Sequence, residues 1–128
     1  MYSETVIEHF RAPRNAGMMR HADAVGESED ESCGDLARFY LRIEADRVTE
    51  VRFQTYGCGP SIAASSLVTE LVRGWRLDAL EALTADTVES ALGGLPENRR
   101  HAASVAASAI RAASACYRAG RRPEVGHV

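Results

Sequence analysis

Four residues in this 128-residue chain combine types that bind metals: Cys33, Asp35, Cys58 and His101. The first two lie in "CGD", where a loop enters a strand. Alternate strand residues share a face, so a soft thiolate and a hard carboxylate two positions apart can point the same way. Taken alone, the tripeptide reads more simply as a small Cys beside a turn Asp. Cys58 is less ordinary. It stands between Gly57 and Gly59, with Pro60 next and a helix predicted from about Ser61. Two glycines imply unusual backbone around an exposed thiol, and a helix N-terminus favours negative charge there. His101, in "LPENRRHAAS", would by itself be a surface residue near the start of a helix. Together the four form an S₂NO donor set suited to zinc, or to iron in a cluster. Each donor lies at the edge of an element, and such edges can converge at one end of a small sheet. The spacing is not that of a CxxC pair.

The other candidates read differently. Cys116 lies in "ASACYRAG", at least four helical turns past His101, and cannot join a site at that helix's beginning. His9 follows an apolar stripe and reads as a packing or surface residue. His21 falls in a loop and His127 in the tail, neither with a partner pattern.

The elements that must carry the four donors follow from periodicity. "YSETVIEHFRAPRNAG" opens with a helix capped by Ser3, with Val6, Ile7 and Phe10 on its apolar face and Pro13 ending it. Residues 26–35, "GESEDESCGD", are acidic, lack apolar periodicity and read as an exposed loop. A short strand is predicted around Asp23–Gly26. "LARFYLRIE" alternates, with Ala37, Phe39, Leu41 and Ile43 inward and Arg38, Tyr40 and Arg42 outward. "VTEVRFQTY" does the same with Val51 and Phe53, and "ADR" joins the two as an antiparallel hairpin. "SIAASSLVTELVRG" is a helix with Ile62, Leu67, Leu71 and Val72 as its stripe and Gly74 at its C-terminal end. "RLDALEAL" and "TADTVESALGG" are short helices, the second capped by Thr84 and stopped at Gly93. "PENRRHAASVAASAIRAASACYRAG" is a long helix whose small residues allow close packing. The tail "RRPEVGHV" is expected to fray. The order predicts one α+β domain over residues 1–128, with a small antiparallel sheet of about three strands packed by helices.

The totals narrow the function. A net charge of −3 argues against a nucleic-acid partner. No apolar run reaches the ~18 residues of a membrane-spanning helix. "MYSETVIEHF" has neither the basic nor the apolar region of a secretory signal, so the expected compartment is the cytoplasm. Three widely spaced cysteines do not make a disulfide framework, which leaves metal binding or thiol chemistry.

The motifs "YSETVIEHFRAPRNAG", "CGD", "FQTYGCGPSIAASSLVTELVRG", "LDAL", "LGGLP", "RRHA" and "SAIRAA", in that order, resemble the NifU/IscU-type iron–sulfur cluster assembly scaffold proteins over nearly the whole chain. The resemblance implies a fold of the SufE/NifU type. It also implies a non-enzymatic platform on which a nascent [2Fe–2S] cluster forms from iron and from sulfur delivered by a cysteine desulfurase, then passes to acceptor apoproteins. Zinc at the same residues is a further implication. Cys33 and Cys58 match ligand cysteines, His101 the ligand histidine, and Asp35 the Asp that assists assembly and release and can itself ligate. A monomer or weak, cluster-bridged dimer is expected. Two departures stand out. Relatives carry a third cysteine, the usual sulfur acceptor, directly after the histidine, where this chain has Ala102. "LPENR" differs from the "LPPVK" type that recruits a specialised Hsp70 chaperone, which argues against that partner. The absent thiol also motivates a second reading, a zinc-binding accessory or regulator of cluster assembly that has lost scaffolding. A zinc-dependent sulfurtransferase is a third, and would need Cys33 or Cys58 as acceptor.

Overall fold

The computed structural model describes residues 2–32 and 34–120. In chain order these form α1 (Glu4–Arg11), β1 (Ala24–Asp30), β2 (Asp35–Glu44), β3 (Arg47–Tyr56), α2 (Gly59–Val72), α3 (Leu77–Glu81), α4 (Ala85–Ala91) and α5 (His101–Arg118). The fold is α+β, with an antiparallel sheet of order β1-β2-β3. Helices α2 and α5 pack on the sheet, and among the described residues no helix is long and apolar enough to cross a membrane.

The β2–β3 hairpin forms as its alternation requires. Phe39 pairs with Phe53 and Leu41 with Val51, all pointing into the core. Ala45 and Asp46 make the two-residue turn, with φ of +50° and +61°. Positive φ at both central positions matches the strands' right-handed twist. Tyr40 points to the opposite face as expected, yet it is fully buried and donates to Gln54 Oε1 at 2.5 Å.

The acidic stretch is the first correction. The strand expected at Asp23–Gly26 runs on to Asp30, through residues read as loop. Only one face of β1 is covered, and there it presents Ala24 and Gly26 while Glu27 and Glu29 face solvent. A period of two is present, but small residues take the place of an apolar signal. The opposite sheet edge is closed by the chain itself. Gly17 N–H donates to the Phe53 carbonyl and Phe53 N–H to the Asn15 carbonyl.

α5 lies across β1 and β2. It buries Ala103, Ala106, Ala107, Ala109, Ile110 and Ala113, a surface of methyl groups that lets the sheet approach closely. It does not begin at Pro96. A 3₁₀ turn at Glu97–Arg99 comes first, and the N-cap residue Arg100 gives α5 no side-chain cap.

Two predicted stripes are also corrected. α2 buries Ala63, Ala64, Ser65, Ser66, Val68, Thr69 and Val72, whereas Ile62, Leu67 and Leu71 are only partly covered. It is a central helix with little amphipathic contrast, so its largest residues do not mark the inner face. In α1, capped by Ser3 as expected, Val6 is buried, but Ile7 and Phe10 are exposed and His9 takes the inner position.

His9 Nδ1 lies 2.8 Å from Ser66 Oγ, which itself accepts Arg14 N–H. Burial, reinforced by the Arg14 charge, holds His9 below its ordinary pKa against the opposing pull of Glu70 and Glu8. The unfolded chain therefore binds the extra proton first. Stability from this contact is complete above the unfolded value of about 6.5 and is lost as pH falls through it. Metal-free melts should show the parent losing more Tm than His9→Gln between roughly pH 7 and pH 5. Parallel Tm curves would refute the assignment.

The tail "RRPEVGHV", with His127, and Cys33 lie outside the described residues.

Candidate metal centre

Three of the four predicted donors meet at one end of the sheet. Asp35 opens β2, Cys58 is the N-cap of α2, and His101 opens α5. One ligand atom from each lies within 4.8 Å of the others. The fourth, Cys33, stands two residues before Asp35 and is outside the described residues. Cys116 is in the last turns of α5, about 22 Å along the helix from His101, and takes no part.

Asp35 is the hub. It is 2% exposed. His101 Nε2 lies 2.7 Å from Oδ2, Ser61 Oγ donates to the same oxygen at 2.6 Å, and Cys58 Sγ is 3.7 Å away. Cys58 N–H donates to Oδ1 at 3.3 Å. Burial pushes the carboxyl up. The hydrogen bonds from Ser61, His101 and the Cys58 amide, with the imidazole's charge, outweigh that and hold Asp35 below its ordinary value. The carboxylate is thus ionised.

Glycine is required beside it. A Cβ on Gly57 would stand 2.1 Å from Asp35 Oδ1, and its φ of +149° disfavours other residues. This explains the first glycine of "YGCGPS" as room for a carboxylate against backbone. Cys58 is half-buried, with extended backbone and no cap bond from its side chain. It forms part of the wall of a groove of about 490 Å³ that is also lined by Tyr2, Ile7, Phe10 and Pro60. The exposed apolar face of α1 therefore borders the site.

One thiol, one carboxylate and one imidazole within a few ångströms are donors that zinc and iron both accept. Because the ionised Asp35 accepts, Nε2 carries the proton in the His101–Asp35 bond. Ligation through Nε2 requires that proton to leave or to move to Nδ1. Metal binding at Nε2 would therefore exchange an internal hydrogen bond for a metal bond.

Ser61 went unnoticed in the sequence. A usable signal existed: it is the third residue after the N-cap Cys58, a position whose side chain reaches back toward the cap. Ala102, next to His101, is 1% exposed and belongs to the core.

The family model described as "NifU-like N terminal domain" matches residues 1–123. Iron-sulfur cluster assembly scaffold protein IscU 1 of Archaeoglobus fulgidus is 41% identical over 117 residues, 91% of this chain and 76% of that protein. Nitrogen fixation protein NifU of Cereibacter sphaeroides is 46% identical over 119 residues, 91% of this chain and 48% of that longer protein. Among solved structures, FiSufU from Fervidobacterium islandicum AW-1 superposes with a TM-score of 0.72 at 21% identity, covering 88% of this chain and 96% of its own, a likeness of fold. The chain belongs to the NifU-like N-terminal domain family.

Proposed function

We propose that this chain is an iron–sulfur cluster assembly scaffold or carrier. It takes iron and a nascent [2Fe–2S] cluster as its cargo and passes them to acceptor apoproteins, with a cysteine desulfurase as the sulfur source. The observation that carries this reading is the convergence of Asp35, Cys58 and His101 at the meeting point of three elements. Membership of the family and 41% identity to a protein named as a scaffold support it. Cys33, two residues from Asp35, is assigned as the fourth ligand. An oxygen and a nitrogen in place of thiolates hold a cluster more weakly and retune it, which suits cargo that must leave.

Ala102 favours one competing reading, a zinc-binding accessory of cluster assembly. The two separate on anaerobic reconstitution with ferrous iron and sulfide. A scaffold yields bound iron and visible-region absorption. An accessory retains stoichiometric zinc that iron and sulfide do not displace. Ala102→Cys places a thiol beside His101 and should raise cluster yield, and persulfide loading by a desulfurase, several-fold. Unchanged values in that variant would show that the residues already present suffice.

A further inference from the structure

Among the described residues, Ser61 is a polar group at this site that the ligand set does not use. It is 2% exposed in the first turn of α2. Hydroxyls in first turns commonly serve the free amides of their own helix. This one instead donates to Asp35 Oδ2 at 2.6 Å, across 26 residues of sequence, and lies 3.4 Å from Cys58 Sγ.

We propose that Ser61 is a positioning residue that holds Asp35 in its ligating orientation while cargo is bound; the inference rests on the metal-site reading above. The two carboxylate oxygens do different things. Oδ1 faces the Cys58 amide and the Gly57 backbone. Oδ2 faces His101 Nε2 and Cys58 Sγ, which makes it the ligand oxygen. The terminal torsion of Asp is broad, so Oδ2 needs a partner to fix it. Among the described residues it has two close ones, His101 and Ser61. When His101 turns its nitrogen to a metal, its bond to Asp35 is lost. Ser61 then remains as the side-chain donor aiming Oδ2 at the metal.

Its contribution is therefore larger in the loaded state than in the empty one. Removing the hydroxyl should weaken binding more than folding, and should act only through Asp35. A packing residue would do neither.

The test uses the full chain and Co(II) alone as probe, read by thiolate-to-metal charge-transfer and d–d absorption in the absence of oxygen. Ser61→Ala should weaken Co(II) binding about tenfold and alter the d–d band, the size of effect seen when partners of metal ligands are removed. Ser61→Thr, which keeps the hydroxyl, should recover most of the loss. In an Asp35→Ala background, adding Ser61→Ala should change the dissociation constant less than about twofold. Parental affinity in Ser61→Ala, or the same tenfold loss without Asp35, overturns the inference while leaving the metal site standing. A parent chain that gives no thiolate–Co(II) band overturns both.

Discussion

Gly26→Ala should lower the melting temperature of the metal-free chain by about 10 °C or more, or leave it unable to accumulate folded. The added methyl would stand 2.1 Å from the Ala109 carbonyl oxygen and 2.2 Å from the Ala113 backbone nitrogen. Neither obstacle is a side chain that can swing aside. Relief requires moving α5 away from β1, and the methyl surface along α5 depends on that close approach. Overpacking a core with movable side chains costs about 1–3 kcal/mol, and a backbone obstacle belongs at or above the top of that range. Ala113→Gly should not rescue the variant, because the nitrogen remains when the side chain is gone. A Gly26→Ala chain that melts within a few degrees of the parent would show that α5 sits further from the sheet than described.

Cys58→Ser and His101→Ala should have the opposite character. Each removes a candidate ligand atom from the group within 4.8 Å, and neither empties a large volume in the core. Metal affinity should fall by more than about 100-fold, roughly 2.7 kcal/mol or greater, since merely removing the partners of ligands costs 10–100-fold. Metal-free Cys58→Ser should melt close to the parent, because the residue is half-exposed and caps nothing through its side chain. Zinc or Co(II) competition against a chromophoric chelator measures the first quantity, and circular dichroism the second. Retained affinity in both variants would remove the site. Gly26 and Cys58 thus separate what the fold needs from what the site needs.

That separation also shows what could be read without coordinates. Cys58 was legible because a thiol between two glycines has no place in an apolar run. Asp35 and His101 gained meaning only in company with it, since either alone is an ordinary residue at an element's edge. The hairpin was legible because Phe39, Leu41, Val51 and Phe53 alternate strictly. β1 was underread because its inward positions are Ala24 and Gly26, whose importance is the size they lack. The α1 stripe misled for another reason. Ile7 and Phe10 have the right spacing for a core, but they face the groove beside Cys58, and the inner place goes to a histidine with its own buried partner. The position of Ser61, three residues after Cys58, marked it as near the cap, but its partner Asp35 lies 26 residues away, and local spacing does not encode that pairing.

The placement of His101 has a thermodynamic consequence. It is the first residue of a helix whose N-cap gives no side-chain bond and which follows a short 3₁₀ turn. Helix ends without caps fray more readily. An ion bound across Asp35, Cys58 and His101 would tie that end to the sheet and to α2, so binding free energy becomes local folding free energy. The linkage runs both ways: at an ion concentration 100 times Kd the folded form gains about 2.7 kcal/mol, and whatever unwinds the first turn of α5 loosens the ion to the same degree. Retention of an ion would then be coupled to the stability of that helical turn.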